Sequence, residues 1–308
     1  MKQVEGKVAF ITGGASGIGF GMAQAFLKSG MKVIIADILQ ERLDEAARVL
    51  ARGTNRDFHV LKVDVTDRAM MAGAAEEAER TFGKVHVLCN NAGVYGNLPI
   101  ETATYEDWDW VLGVNLGGVV NGVASFLPKM IAHGEGGHIV NTSSMAGIIP
   151  LPSGGGLYST SKFAVRGLTE SLRLALGAHN IGVSVLCPGM VRTRIMEAER
   201  HRPGHEAETA AAPSAPGGAS GRDEWQSTFD MGGGMDPLEL GERVLLGIQR
   251  NDAYILPHGE FKDEVQGLFD DIMAGFPQGQ KVDDPVRLKF EEVRRKATAD
   301  AKAAIKND

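Results

Sequence analysis

The segment Lys7-Val8-Ala9-Phe10-Ile11-Thr12 reads as an apolar strand that runs directly into Gly13-Gly14-Ala15-Ser16-Gly17-Ile18-Gly19 and then into a helical stretch from Phe20 to Ser29. A strand, a glycine turn and a helix in that order form a dinucleotide site for steric and electrostatic reasons together. Gly13 lets the chain turn sharply, Gly17 removes a side chain where a pyrophosphate must approach, and Gly19 permits close helix packing. The helix N-terminus then offers free backbone N–H groups to the anion, which makes Gly13, Ser16, Gly17, Ile18 and Gly19 the candidate phosphate-binding residues. The spacing is G-x3-G-x-G, not the commoner G-x-G-x-x-G.

The next strand, Met31 to Ala36, ends in Asp37. A carboxylate about 20 positions beyond the glycine turn can accept hydrogen bonds from adenosine ribose hydroxyls, whereas a 2′-phosphate there would meet like charge. The turn shows no Arg or Lys to neutralise such a phosphate, so the expected cofactor is NAD(H) rather than NADP(H). The alternative is a surface carboxylate that merely closes the strand.

Tyr158 and Lys162 stand four positions apart, on one face of a helix. Bringing a phenol from a pKa of roughly 10 to about 7 requires some 4 kcal/mol of differential stabilisation. A neighbouring ammonium can supply much of it, so the phenol is expected to be acidic. Ser144 lies upstream and Asn115 earlier still, completing a quartet suited to moving a proton beside a hydride.

Thr12 through Gly19, Asn90-Asn91-Ala92-Gly93, Asn115, Ser144, Tyr158-Ser159-Thr160-Ser161-Lys162 and Pro188-Gly189 occur in the order of the single-domain short-chain dehydrogenase/reductase family. The chain resembles that family over about residues 5 to 195. The resemblance implies an α/β fold, a doubly wound parallel sheet of Rossmann type with about seven strands and helices on both faces. It also implies roles: Tyr158 as acid/base, Lys162 as pKa-lowering charge and ribose ligand, Ser144 as substrate-oxygen donor, and Asn115 as the helix-kink residue holding a relay water. By the same likeness Asp64 and Val65 border the adenine, Asn91 steadies the central strand, Thr193 contacts the carboxamide, and Ala92, Gly93, Pro188, Gly189 and Val191 line the cofactor.

Ser144 stands one residue further from Tyr158 than the family's commoner spacing, and the intervening Gly154-Gly155-Gly156 can absorb the difference. The doublet Ser143-Ser144 leaves a choice; Ser144 is favoured because Met145-Ala146-Gly147 follows it.

With 308 residues, 43% apolar content and 40 glycines, the chain can bury one large core. One α/β domain over residues 1–308 is expected. Further strands are predicted near Phe58 to Val63, Val85 to Asn90, His138 to Ser143, Gly182 to Leu186 and Ala253 to Leu256. Helices are predicted over Glu41 to Ala51, Arg68 to Thr81, Trp108 to Ala132, Tyr158 to Ala178, Pro237 to Arg250 and Glu260 to Ala274.

A formal net charge of −7 argues against nucleic acid as a partner. The N-terminus shows no apolar signal region and the chain no run of about 18 apolar residues, so a cytoplasmic protein without a membrane segment is expected. Cys89 and Cys187 stand at strand ends as small buried hydrophobes, and no disulfide is expected. His201 and His205 are four apart, but Pro203-Gly204 breaks the helix that would align them, and no metal is expected. Gly113, Gly117, Gly118 and Gly122 allow close helix approach around Asn115. In the family this helix and the one bearing Tyr158 form subunit contacts, so a homodimer or homotetramer is expected.

Ile195 to Met235 is an insertion rich in Ala, Gly, Pro and Glu. It is expected to be a mobile substrate lid, with Met190, Ile195, Met196, Trp225 and Phe229 as apolar contacts beside Ser144, Met145 and Tyr158. A solvated insertion without a role is the alternative. Residues 236–308 read as a substrate and packing extension, in which Val286, Phe290, Val293, Ala297 and Ala301 mark an amphipathic helix expected to pack on its own subunit.

This C-terminal part, with Glu197-Ala198-Glu199-Arg200-His201-Arg202-Pro203, is loosely similar to bacterial aryl-ether Cα-dehydrogenases that oxidise benzylic alcohols in lignin-derived dimers. Val94, Tyr95, Leu98, Ile148, Ile149 and Leu151 flank the catalytic motifs and favour a bulky hydrophobic or aromatic secondary alcohol and its ketone. Steroids are an alternative within the same chemistry. A non-catalytic NAD-binding regulator and an epimerase or dehydratase using the same Tyr-Lys pair are alternatives from other classes.

Overall fold

Seven strands run parallel in one sheet ordered β3-β2-β1-β4-β5-β6-β7, with β1 Val8–Thr12, β2 Lys32–Asp37, β3 Phe58–Lys62, β4 Val85–Asn90, β5 Gly137–Thr142, β6 Ile181–Leu186 and β7 Tyr254–Ile255. This architecture comes from a computed structural model, which describes residues 1–96, 98–152, 154–202, 233–277, 279 and 282–305, apart from the side chains of 199–201. Most of the insertion, including Trp225, Phe229 and His205, lies outside the described residues, so the expected lid is seen only at its two ends.

The helices are α1 Gly17–Lys28, α2 Gln40–Leu50, α3 Arg68–Phe82, α4 Tyr105–Leu112, α5 Gly118–His133, α6 Gly156–Leu176, α7 Pro237–Arg250, α8 Lys262–Ala274 and α9 Pro285–Ala303. Alternation along the strands explains the two layers. Ala9, Ile11, Val33 and Ile35 face a core with Phe26 of α1, Leu43 of α2 and Val244 of α7. Val8, Phe10, Ile34 and Ala36 face the opposite core with Met71 of α3, Phe126 of α5 and Leu176 of α6. Both faces of each strand are therefore apolar, as a doubly covered parallel sheet requires. Full burial of a side chain such as Phe26 contributes about 1.5–3 kcal/mol.

Helix α7 closes this fold onto α1 at a glycine crossing. A Cβ on Gly21 would lie 1.8 Å from the Pro237 carbonyl oxygen, and one on Gly241 would lie 2.3 Å from that of Gly21. Only glycine at both positions lets the two backbones touch.

The helix predicted over Trp108 to Ala132 differs in two ways. It begins earlier, because Thr104 and Asp107 form a reciprocal capping box. It is also interrupted by a π-helical turn over Gly113–Gly117, where Asn115 is fully buried. By length and composition alone Tyr105–His133 could pass for a membrane span, with a mean hydropathy of 1.5, although Asn115, Asn121 and Lys129 interrupt any unbroken apolar run. Its packing places it on the sheet: Asn121 donates to the Val65 carbonyl at 2.9 Å, and a Cβ on Gly122 would lie 2.0 Å from Asn90 Oδ1.

The C-terminal helix departs from expectation. Neither α8 nor α9 has a fully buried residue, and among the described residues nothing covers Val286, Phe290 or Val293 of the stripe expected to pack on its own subunit.

Candidate active site

The glycine turn, the C-terminal ends of β1, β2, β4, β5 and β6, and the N-termini of α1 and α6 surround a cleft of about 580 Å³. Gly13 and Gly17 adopt positive φ, +59° and +50°. A Cβ on Gly13 would lie 2.9 Å from Ala92 Cα, and one on Gly17 would lie 2.9 Å from Thr193 Cγ2. Ser16 precedes α1 in extended geometry and its side chain makes no capping hydrogen bond, which leaves first-turn N–H groups for an anion. These features fit a dinucleotide pyrophosphate. Gly19 sits beneath the turn, where a Cβ would lie 2.1 Å from the Gly13 carbonyl oxygen.

Thr12 and Asn91 lock the turn to the sheet. Thr12 Oγ1 accepts from the backbone N–H of Asn91 at 2.9 Å and of Ala92 at 3.0 Å. The Asn91 amide donates to the carbonyls of Thr12 and Gly13 at 3.1 and 3.3 Å.

At the far end of the cleft Asp37 is buried and accepts from Ala15 N–H at 3.3 Å and Leu39 N–H at 3.2 Å. Burial raises its pKa, and the backbone N–H groups and Arg42 oppose that rise. Asp64 and Val65 line the same end. The expectation of no basic residue near this pocket needs correction. Arg42 reaches it from the first turns of α2, with its guanidinium 3.1 Å from the Glu197 carboxylate. Glu197 approaches only through the tertiary fold, so the sequence neighbourhood of Asp37 could not show this pairing.

The four residues expected to carry the chemistry converge. Asn115 Nδ2 donates to the Val94 carbonyl at 3.0 Å and to Ser161 Oγ at 2.9 Å, while Val94 N–H donates to its Oδ1 at 2.8 Å. The side-chain amide is thus consumed in holding α6 against the π turn. Lys162 Nζ donates to the Thr142 carbonyl at 3.0 Å and stands 5.5 Å from the centre of the Tyr158 ring. A Cβ on Gly93 would lie 3.2 Å from Asn115 Oδ1 and 3.3 Å from Lys162 Nζ, so glycine keeps that space open.

The two serines separate by role. Ser143 is buried and donates to the Lys162 carbonyl at 2.7 Å. Ser144 accepts from Ala146 N–H at 3.1 Å and hydrogen-bonds the Tyr158 phenol. Ser144 is therefore the hydroxyl beside the proton-transfer atom.

The acidity expected of Tyr158 is reversed. Burial pushes its phenol up to about 12, and the Ser144 hydrogen bond lowers it by less. Burial also brings the Lys162 ammonium down to about 8. Four residues of helical spacing do put the pair on one face, but the ammonium lies over the ring and bonds a carbonyl. Desolvation therefore outweighs charge attraction among the chain's own groups.

The substrate contacts also change. Ile195 and Tyr158 line the cleft, with Val94. Met145 is instead buried with Ile148, Val185 and Cys187 under Phe261, Val265 and Leu268 of the α8 region. Among the other predicted contacts, Ser144, Met190, Met196, Gly19, Gly189 and Val191 do not line the cleft, whereas Pro188 and Thr193 do. Gly189 N–H donates to His258 Nδ1 at 3.0 Å, and His258 Nε2 bonds the Met190 carbonyl at 3.0 Å, so this histidine pins the loop after β6. Val191 is buried in the α1 core.

Helix α4 supplies a wall that sequence reasoning missed: Glu106, Asp109 and Trp110. Arg202 lies 5.3 Å from the Trp110 ring and forms an ion pair with Asp107, both side chains being largely buried. The short helical segment Ile195–His201 therefore crosses above the cleft, tied to α2 by Arg42–Glu197 and followed by Arg202 on α4. The capping-box spacing of Thr104 and Asp107 was the signal that could have located α4.

This strand order, this glycine turn and this Ser-Tyr-Lys-Asn arrangement define a nucleotide-dependent oxidoreductase of the short-chain type. The model for short chain dehydrogenases matches residues 7–204, and the chain belongs to that family. It is 37% identical over 313 residues to a C alpha-dehydrogenase of Sphingobium sp. strain SYK-6, covering 99% of this chain and 100% of that protein. It is 38% identical over 191 residues to 3beta-hydroxysteroid dehydrogenase 2 of Eggerthella lenta, covering 62% of this chain and 73% of that one. A short-chain dehydrogenase/reductase of Burkholderia phymatum, solved in complex with NAD, is similar in structure with a TM-score of 0.82 and 34% identity, covering 92% and 99% of the two chains.

Proposed function

We propose that this chain interconverts a bulky aromatic or hydrophobic secondary alcohol, such as a benzylic alcohol of a lignin-derived aryl ether, and its ketone, using NAD(H). The observation that carries the substrate class is likeness along the whole length, C-terminal helices included, to a C alpha-dehydrogenase. The apolar cleft wall of Val94, Trp110 and Ile195 supports the same class, because such a surface favours an aryl group over a sugar. NAD rather than NADP is supported by buried Asp37 at the adenosine end, with Arg42 neutralised by Glu197.

When bound, the coenzyme supplies a hydride acceptor for oxidation or a donor for reduction. The chain's part is proton transfer at Tyr158 Oη. With its pKa raised, Tyr158 is a neutral donor at pH 7 and protonates the ketone oxygen as hydride reaches the carbon. In the oxidative direction the phenolate form accepts the hydroxyl proton, so oxidation accelerates as pH rises. Ser144 orients the reacting oxygen, Lys162 places a cation beside the ring, and Asn115 holds the α6 backbone in register.

A hydroxysteroid is the second reading, supported by the Eggerthella lenta relative, but that likeness covers 62% of this chain. Assembly into a homo-oligomer through α5 and α6 and a cytoplasmic location are part of the proposal; Val120 and Phe163 stand exposed on those helices. A screen of NADH formation across aryl alcohols, hydroxysteroids and aliphatic secondary alcohols tests the reading. Turnover confined to steroids would replace the substrate class, and ketone formation driven only by NADP would replace the coenzyme.

A further inference from the structure

The loop after β6 is held from behind by a residue that belongs to none of the dehydrogenase motifs. His258 follows β7, is buried, and uses both ring nitrogens on backbone. Gly189 N–H donates to Nδ1 at 3.0 Å, and Nε2 donates to the Met190 carbonyl at 3.0 Å. A backbone N–H can only donate and a carbonyl can only accept, so the ring stands as the neutral tautomer with its proton on Nε2. Loop and ring are in direct contact: a Cβ on Gly189 would lie 3.1 Å from His258 Cγ and 2.6 Å from Phe261 Cε2.

The Gly189 N–H belongs to the same planar peptide unit as the Pro188 carbonyl. That carbonyl accepts from Met145 N–H at 2.9 Å and from the Ser144 hydroxyl at 3.5 Å. One rigid plane therefore joins His258 on one edge to the Ser144 turn on the other, and it cannot rotate without giving up both sets of bonds. The Met190 carbonyl also accepts from Met235 N–H at 3.0 Å, which fixes the following stretch of backbone. Pro188 lines the cleft, and Ser144 is the hydroxyl bonded to the Tyr158 phenol.

We propose that His258 is a positioning residue for the proton and hydride transfer: it fixes the Pro188–Gly189 peptide, and through that plane it sets Ser144 and the Pro188 edge of the cleft. His258 does not itself line the cleft, and it lies outside residues 7–204 that match the family model. The role rests on the oxidoreductase reading above but not on which alcohol is taken. It gives the segment beyond β7 a task in catalysis, because geometry at a reacting centre is held by groups that never touch it.

Three variants of the full-length protein test the proposal, with melting followed by circular dichroism as a check on folding. On whichever secondary alcohol the wild-type chain oxidises, His258→Ala should lower kcat by about 10- to 100-fold while KM for that alcohol changes by less than about twofold. His258→Asn, whose amide oxygen takes the place of Nδ1, should recover most of the rate. His258→Gln, whose amide nitrogen takes the place of Nε2, should not, because it leaves the Gly189 N–H unpaired. Hydrogen exchange over the Gly189 segment, read by mass spectrometry, reports the same plane without turnover: protection should be lost in the Ala and Gln variants and kept with Asn. If the Ala variant does not fold, the Asn and Gln pair carries the comparison. Wild-type kcat in His258→Ala or His258→Gln would overturn the proposal, as would rate losses that follow melting temperature with no recovery in His258→Asn. A wild-type chain that oxidises no secondary alcohol would remove the functional reading and the catalytic role with it, and the exchange pattern would still decide whether His258 holds the loop.

Discussion

The sheet with its coenzyme cleft and the pair of C-terminal helices use the same material, amphipathic helix, under opposite constraints. Around the cleft every helix buries an apolar face, and some approaches are so close that only glycine fits, as at Gly13, Gly21 and Gly122. In α8 and α9 the apolar positions recur with equal regularity, yet Phe290 and Ile272 stand more than half exposed. Periodicity thus predicts that a helix has an apolar face, and only the fold decides what that face meets. The bridges between the regions are small: Val265 and Leu268 of α8, with Phe261, pack on Met145 and Ile148 just beyond Ser144, and Ala304 and Ile305 after α9 approach Gly177.

Substitutions in the two regions should separate accordingly. The largest effect belongs to Tyr158→Phe, which should lower kcat by about 10²- to 10⁴-fold while leaving NAD affinity nearly unchanged in a binding titration. The wild-type pH profile should match, with alcohol oxidation rising from pH 6 to 9 as the phenol of raised pKa loses its proton more readily, and ketone reduction holding across pH 6 to 7. Oxidation that falls with rising pH over this range would mean that another group carries the proton.

Next, Phe26→Ala and Phe290→Ala form a direct pair. The first empties a fully buried site and should cost about 3–5 kcal/mol in denaturant unfolding, whereas the second should change subunit stability by less than about 0.5 kcal/mol in dilute solution. Equal losses would erase the distinction between the regions. Gly21→Ala should fall between them, at about 1–3 kcal/mol, because the new methyl group meets the Pro237 backbone rather than a side chain that can rotate away. The smallest shift is in coenzyme choice. Asp37→Ala should narrow discrimination between NAD and NADP about tenfold, roughly 1.4 kcal/mol, by removing a like charge from the site of a 2′-phosphate. Unaltered kcat/KM ratios for the two coenzymes would remove Asp37 from that role.

Local chemistry made much of this protein legible before any fold was known. Alternating apolar strands, the glycine turn and the Tyr158–Lys162 spacing each depend on residues close in sequence, and they led directly to a parallel sheet and a dinucleotide cleft. Tertiary structure decided what depends on distant groups or on depth. Burial sets the proton on Tyr158, because the cost of desolvating a charge is a property of the surroundings and not of the i, i+4 pattern. Likewise Glu197 meets Arg42, Arg202 meets Asp107, and the α9 stripe is left uncovered among the described residues only because of where remote segments come to rest. Short-range geometry is written in residue type and spacing, whereas electrostatic environment and docking partners are set by which surfaces the folded chain brings together.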